Sequence, residues 1–256
     1  MIHFITLIGS GNVAHNLGFA FREAGLEVVE VVSKNIANAQ ILAQKLNAKS
    51  NNDLSTINQE SDLYVVASSD NAIAQIASQL DLSDKLLVHT SGSIAIAELD
   101  AASSRVGSFY PLQTFTKSHR ADFQKIPICI EANDSQATRE LEELGKKISN
   151  RIIPMSSLQR QKLHLAAVFV SNFANYMQVI GQDLCEEQGI EFDLLKPLMK
   201  EVFDKNQLKS ARENQTGPAL RKDSFAMEKH LQLLEKDPSL QELYKQISTL
   251  IQRDFS

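Results

Sequence analysis

The first residues alternate too little for a surface strand. Ile2 to Ile8 form a short apolar run that breaks at once into Gly9-Ser10-Gly11-Asn12-Val13-Ala14. A run of that length, ended by glycines and followed by an amphipathic segment, predicts a strand, a tight turn and a helix start. Leu17, Ala20, Phe21 and Ala24 repeat at helical spacing over Val13–Ala24, and Gly25 closes that helix. Leu26–Val32 is valine-rich, as a strand buried on both faces should be, and Asn38–Leu46 is a second helix. The alternation continues with strands at Asp62–Ala67, Lys85–His89 and Arg105–Tyr110. Helices fall between them at Ile73–Leu80, with Asp70 as N-cap, and at Ile94–Ala102. Ile126–Glu131, a helix over Gln136–Ile148 and Arg151–Ile153 add a strand–helix–strand unit to the same sheet. This spacing predicts an α/β domain with a doubly wound sheet over residues 1–154, closed by Pro154. Beyond it the period is helical only, over Leu158–Glu187, Phe192–Phe203, Phe225–Leu234 and Ser239–Arg253. Residues 155–256 therefore form an all-α domain. Its first helix is apolar on most sides and is expected to be a buried central helix.

Composition narrows the class. An apolar fraction of 43% over 256 residues supports a substantial core. A net charge of -5 with no basic patch excludes nucleic acid as the expected partner. By run length no segment is expected to span a membrane, and the N-terminus goes straight into a strand and glycine turn, so no signal peptide is expected. Cys129 and Cys185 read as reduced thiols of a cytoplasmic protein. His, Cys and acidic residues show no metal-ligand spacing, so no metal is expected.

The glycine turn carries the chemistry. Gly9 permits the sharp exit from the strand, Gly11 lets a diphosphate approach the main chain, and Ala14 lets the helix pack on the strand. With Ser10, Asn12 and Val13 they form a candidate dinucleotide site at a helix N-terminus; the other reading is a purely structural turn. Ligands of open α/β sheets lie beyond the C-terminal strand ends. The next endings, Ser68-Ser69, Thr90-Ser91-Gly92 and Tyr110-Pro111, are therefore candidate cofactor contacts. The second strand runs out into Ser33-Lys34-Asn35, which suits the 2′-phosphate of NADP, or is merely a polar loop. Glu30 would favour NAD, but Val31 and Val32 follow it, so it is expected inside the strand.

On the long helix, His164, Ser171, Asn175, Gln178 and Gln182 fall within about one third of the circumference at 100° per residue, with Asn172 beside them. Buried polar groups need partners. Either these residues bond other helices, or His164 is a proton donor and Asn172 orients the substrate, with Ser171 and Asn175 as further contacts. Lys162 points to the opposite side. Thr216 and Arg221 form a second polar knot. There Arg221 either binds a substrate carboxylate or pairs with Asp223.

GSGNVA at 9–14, HTSGS at 89–93, FYPLQTF at 109–115, HLAAVFVSNFANY at 164–176 and TGPALRKD at 216–223 together give the chain a resemblance. It resembles Rossmann-like proteins with a DUF2520 C-terminal domain, broadly related to pyrroline-5-carboxylate reductase, ketopantoate reductase and 6-phosphogluconate-dehydrogenase-like enzymes. The resemblance implies an NADP-binding domain, a helical 6-phosphogluconate-dehydrogenase-like domain, a homodimer, and reduction of a small carbonyl or imine such as a 2-oxo acid. Several of those relatives use a lysine and an asparagine one turn apart on the long helix. This chain departs from them, because Ala166 follows Lys162 and the polar pair is His164 with Asn172. A pocket kept for nucleotide sensing without chemistry is the alternative function.

Overall fold

Strand residues point alternately to two faces, and here both faces are apolar. Ile5, Leu7, Val31, Val65 and Val88 pack with Leu17, Phe21, Leu42 and Leu141 in one core. Ile8, Val32, Tyr64, Val66 and Leu87 pack with Ile73, Leu82 and Leu99 in the other. A sheet buried on both sides must be covered by helices on both sides.

A computed structural model describes residues 2–255. The strands are β1 (Phe4–Ile8), β2 (Glu27–Val32), β3 (Lys49–Asn51), β4 (Leu63–Val66), β5 (Leu86–His89), β6 (Arg105–Pro111), β7 (Ile128–Ala132) and β8 (Ile152–Pro154). Their order in one sheet is β3-β2-β1-β4-β5-β6-β7-β8. The first six are parallel, in the order of a dinucleotide-binding sheet. β7 turns back antiparallel to β6, with Tyr110 opposite Cys129. Helices α1 (Asn12–Glu23), α2 (Ile36–Leu46), α3 (Asp70–Ala77) and α4 (Ser135–Ile148) cover the sheet.

Several expectations need correction. β3 was not anticipated; three polar residues at a sheet edge leave no apolar signal. The helix expected over 94–102 is only a 3₁₀ turn, Ile96–Leu99. Arg160 takes the Ile94 carbonyl, and the Glu98 N–H that would bond it in an α-helix goes to the Ala95 carbonyl in a 3₁₀ turn instead. Ser69, not Asp70, stands at the N-cap of α3.

The chain divides into two units, Met1–Asn175 and Tyr176–Ser256. The first keeps the start of the long helix, α5 (Ser157–Ala167), which opens on a capping box of Ser156 and Gln159. A π turn, Val168–Phe173, joins α5 to α6 (Ala174–Glu186). The second unit holds the rest of α6 with α7 (Lys196–Leu208), α8 (Ser224–Leu233) and α9 (Pro238–Asp254). Within it Asp223 and Asp237 cap α8 and α9, and His230 Nδ1 meets Tyr244 Oη at 2.8 Å.

The long helix is not a buried central helix. Leu165, Phe169, Val170 and Phe173 are 51%, 60%, 77% and 49% exposed. By length and composition Ser157–Glu186 is apolar enough to cross a membrane, which run length did not register because polar residues interrupt it.

The two turn glycines make a test of the fold. Gly9 has φ +128°, and a Cβ there would lie 2.1 Å from the Ala67 carbonyl oxygen. Gly11 has φ -76° and open space where its Cβ would be. Gly9→Ala is expected to lower the unfolding free energy by ~3 kcal/mol in urea titration, and Gly11→Ala by less than ~1 kcal/mol. Equal losses contradict this account of the turn.

Candidate functional site

The strand ends are aligned by register. Val32, Ile8, Val66, His89 and Ser108 pair in sequence across β2, β1, β4, β5 and β6. Every loop that follows this rung therefore leaves from one edge of the sheet. β6 alone runs three residues further past Ser108, because it also pairs with β7, and so carries Tyr110 beyond the rung.

Beside β1 a cavity of about 810 Å³ opens on this edge. Its wall contains Gly9, Ser10, Gly11, Asn12, Val13, Ser33, Lys34, Ser68 and Ser69 from the expected set, with Asn52, Asp53, Ala72 and Gln75 added. The N-cap of α1 is Gly11, with no side-chain cap and no acidic residue in the first turn. The first N–H groups of the helix are thus left for an anion, and the dipole favours one. The residues present fit a diphosphate. Ser10 Oγ and Ser33 Oγ lie 2.8 Å apart and tie the turn to the end of β2. Lys34 is exposed at the rim. Asn35 is not part of the wall; its side chain accepts the Asn38 N–H at 3.2 Å and caps α2. Glu30 is buried within the sheet, as expected, and accepts hydrogen bonds from Asn51 and the Asn58 N–H. Asp53, the acid in the wall, accepts the Ser55 N–H and hydroxyl, which hold its carboxyl below the usual range.

The other strand ends gather around His164. Its Nδ1 lies 3.0 Å from Tyr110 Oη, with the two rings edge to face. A Cβ on Gly92 would lie 2.6 Å from the His164 ring, so only glycine fits beneath it. Ser91 N–H donates to His89 Nδ1 at 3.1 Å, and Thr90 N–H to the Val66 carbonyl at 3.1 Å. Thr90, Ser91, Gly92, Tyr110 and Pro111 do not line the cavity beside β1. Burial pushes the Tyr110 phenol up to about 12 and the Cys129 thiol to about 11, so both stay protonated.

Sequence reasoning missed what holds this corner. Arg160, fully buried on the turn before His164, pairs with Glu131 of β7 and donates to the Ile94 carbonyl and Ser157 Oγ. Gln161 Nε2 donates to the Ser93 carbonyl at 2.8 Å. The signal was present, because Arg160 and His164 are four apart and share a helix face.

The polar stripe does not survive. A π turn holds one residue more than an α turn, so the 100° step breaks across Val168–Phe173. Ser171 is half-buried, but Asn172, Asn175, Gln178 and Gln182 are exposed, as is Lys162. In the second unit Thr216 and Arg221 are exposed. Asp223 caps α8, so the Arg221–Asp223 pair is not formed among the described residues.

Residues 4–92 match the family model described as NADP oxidoreductase, coenzyme F420-dependent. Residues 126–251 match the domain of unknown function DUF2520. The chain is similar to a "putative NADP oxidoreductase" from Bacteroides fragilis, with 36% identity over 98% of both chains and a TM-score of 0.92. A protein from Thermotoga maritima is 22% identical over 98% of both chains, with a TM-score of 0.73. An imine reductase from Myxococcus stipitatus in complex with NADP+ is 16% identical over 98% of this chain and 93% of its own, with a TM-score of 0.69. These last two share the fold. No curated protein matches.

His89 makes the corner acid-sensitive. Burial, then the Arg160 charge, lowers its pKa from 6.5 to about 4. The unfolded chain therefore takes up this proton first as pH falls. Stability is lost between roughly pH 6.5 and 4, by up to ~3 kcal/mol. Denaturant titrations across that range are expected to show this slope, and His89→Gln to reduce it.

Proposed function

Because this chain belongs to the family of DUF2520 proteins with an NADP-oxidoreductase-type N-terminal domain, we infer that it is an NADPH-dependent reductase of a small carbonyl or imine. The observation that carries this reading is the pairing of an uncapped helix N-terminus at Gly11 with a histidine held over the neighbouring strand ends. The glycine turn would hold the diphosphate through main-chain N–H groups, with Ser33 and Lys34 next to the ribose phosphate. Bound NADPH supplies the hydride that reduces the C=O or C=N carbon. His164 would relay the proton, giving its Nε2 hydrogen to the heteroatom while Nδ1 takes the hydrogen of the Tyr110 hydroxyl. The imine class is supported by the imine reductases and the pyrroline-5-carboxylate reductase that share this fold, and the carbonyl class by the same hydrogen-bond geometry.

The reading extends to a homodimer. The exposed apolar residues of the long helix form a face that a second copy of the chain would cover. Sedimentation is expected to give twice the 28.5 kDa chain mass; a monomer at micromolar concentration counts against it.

Thermal shifts with NADPH, NADP, NADH and NAD test the cofactor. Gly11→Ala is expected to weaken NADPH binding by about tenfold or more while lowering apo-protein melting by no more than a few degrees. Lys34→Ala is expected to weaken NADPH about tenfold and NADH little; equal losses remove this tip as the selector. NADPH oxidation over a panel of 2-oxo acids and cyclic imines tests the chemistry, and His164→Ala is expected to lower kcat about 100-fold. Tight coenzyme binding with no turnover across the panel favours a nucleotide sensor.

A further inference from the structure

We propose that Tyr110 locks His164 as its Nε2–H tautomer, so that the site offers its substrate a hydrogen-bond donor and takes a carbonyl oxygen in preference to a protonated imine. The inference rests on the reading of His164 as the group that meets the substrate, and it chooses between the two substrate classes left open there.

The lock follows from counting donors and acceptors. Tyr110 is 9% exposed, and among the described residues its hydroxyl has one partner, His164 Nδ1 at 3.0 Å. If the phenol donates, its proton is satisfied and Nδ1 accepts. If Nδ1–H donates instead, the buried phenol proton has no acceptor, at a cost of about 1–3 kcal/mol. The first arrangement wins, and a histidine's tautomer is set by the bond its other nitrogen makes. Nδ1 then carries the lone pair, and the hydrogen is on Nε2.

The ring cannot readily turn to exchange its nitrogens. The Gly92 side is closed, with Cγ and Nδ1 each 2.6 Å from where a Cβ would be. The helix beneath is fixed through Arg160, Gln161 and Ser157. Ser157 Oγ accepts the Ile96 N–H and donates to Glu131, which also accepts from Arg160. Tyr110 is thus a positioning residue, and the Nε2–H it fixes is complementary to a lone pair. A ketone or 2-oxo acid oxygen has one. A protonated imine presents N–H against N–H, and like donors repel.

The test uses the full-length protein labelled with ¹⁵N in its histidine rings, with the His164 signals assigned by their loss in His164→Gln. Wild type is expected to show a protonated Nε2 and a hydrogen-bonded, bare Nδ1. In Tyr110→Phe, which keeps the buried ring, the Nδ1 signal should lose its hydrogen-bond shift and the Nδ1–H form should appear. A wild type that is mainly Nδ1–H, or a spectrum indifferent to Tyr110→Phe, overturns the lock. The substrate half is read from NADPH oxidation with pyruvate and with 1-pyrroline below neutral pH, where the imine is protonated. Tyr110→Phe is expected to cut kcat for the oxo acid about tenfold and to leave KM within about twofold, with a smaller effect on the imine. A larger loss with the imine, or turnover of the imine alone by wild type, overturns the substrate assignment. Failure of NADPH to bind at all, or turnover of neither probe, overturns the reductase reading and the substrate assignment together. The tautomer spectrum still decides the lock in that case.

Discussion

The guanidinium of Arg160 has no exposed surface, and the geometry of the histidine corner depends on it. It reaches from the first turns of α5 to Glu131 on β7 and to the Ile94 carbonyl beyond β5. A buried ion pair contributes little net stability, since desolvation offsets most of the Coulomb attraction. What it contributes here is position, because a planar fork that must satisfy a carboxylate and a carbonyl at once admits few placements of its helix. With Arg160 placed, His164 one turn later has a fixed height above the strand ends. A fully apolar anchor would allow the helix to slide.

The second constraint is the register of the parallel strands. It lines five strand ends along one edge, and the loops then differ only in what they carry. Glycines and small residues beside β1 leave main-chain N–H groups open to an anion. Serine and threonine loops after β5 instead consume their own N–H groups, as at Ser91 and Thr90. One edge of the sheet therefore presents two kinds of surface: an open anion cradle and a closed, hydrogen-bonded floor beneath a histidine. The antiparallel return of β7 is what joins them, because pairing with Cys129 extends β6 far enough for Tyr110 to reach His164.

The exposed apolar face of the long helix sets a different kind of constraint. Side chains such as Val170, at 77% exposed, gain nothing from water. The π turn within that face, at Val168–Phe173, re-aims every residue after it. Such turns are rare within α-helices and are frequent at functional sites.

Much of the first unit was legible in the sequence, because glycine, valine runs and helical spacing are local signals of local geometry. Gly9 and Gly11 marked the turn, Glu30 was placed inside its strand by the two valines after it, and the polar strand ends marked the edge. Ile94–Ala102 was misread because Arg160 claims the Ile94 carbonyl from 66 positions away. The stripe on the long helix was misread because a 100° step assumes an unbroken α-helix. Tertiary structure alone decided the Tyr110–His164 bond, the glycine beneath the ring and the reach of Arg160, since these join residues 54, 72 and 66 positions apart along the chain. Sequence determines which groups are available and how each segment bends; only packing determines which distant groups come close enough to share a proton.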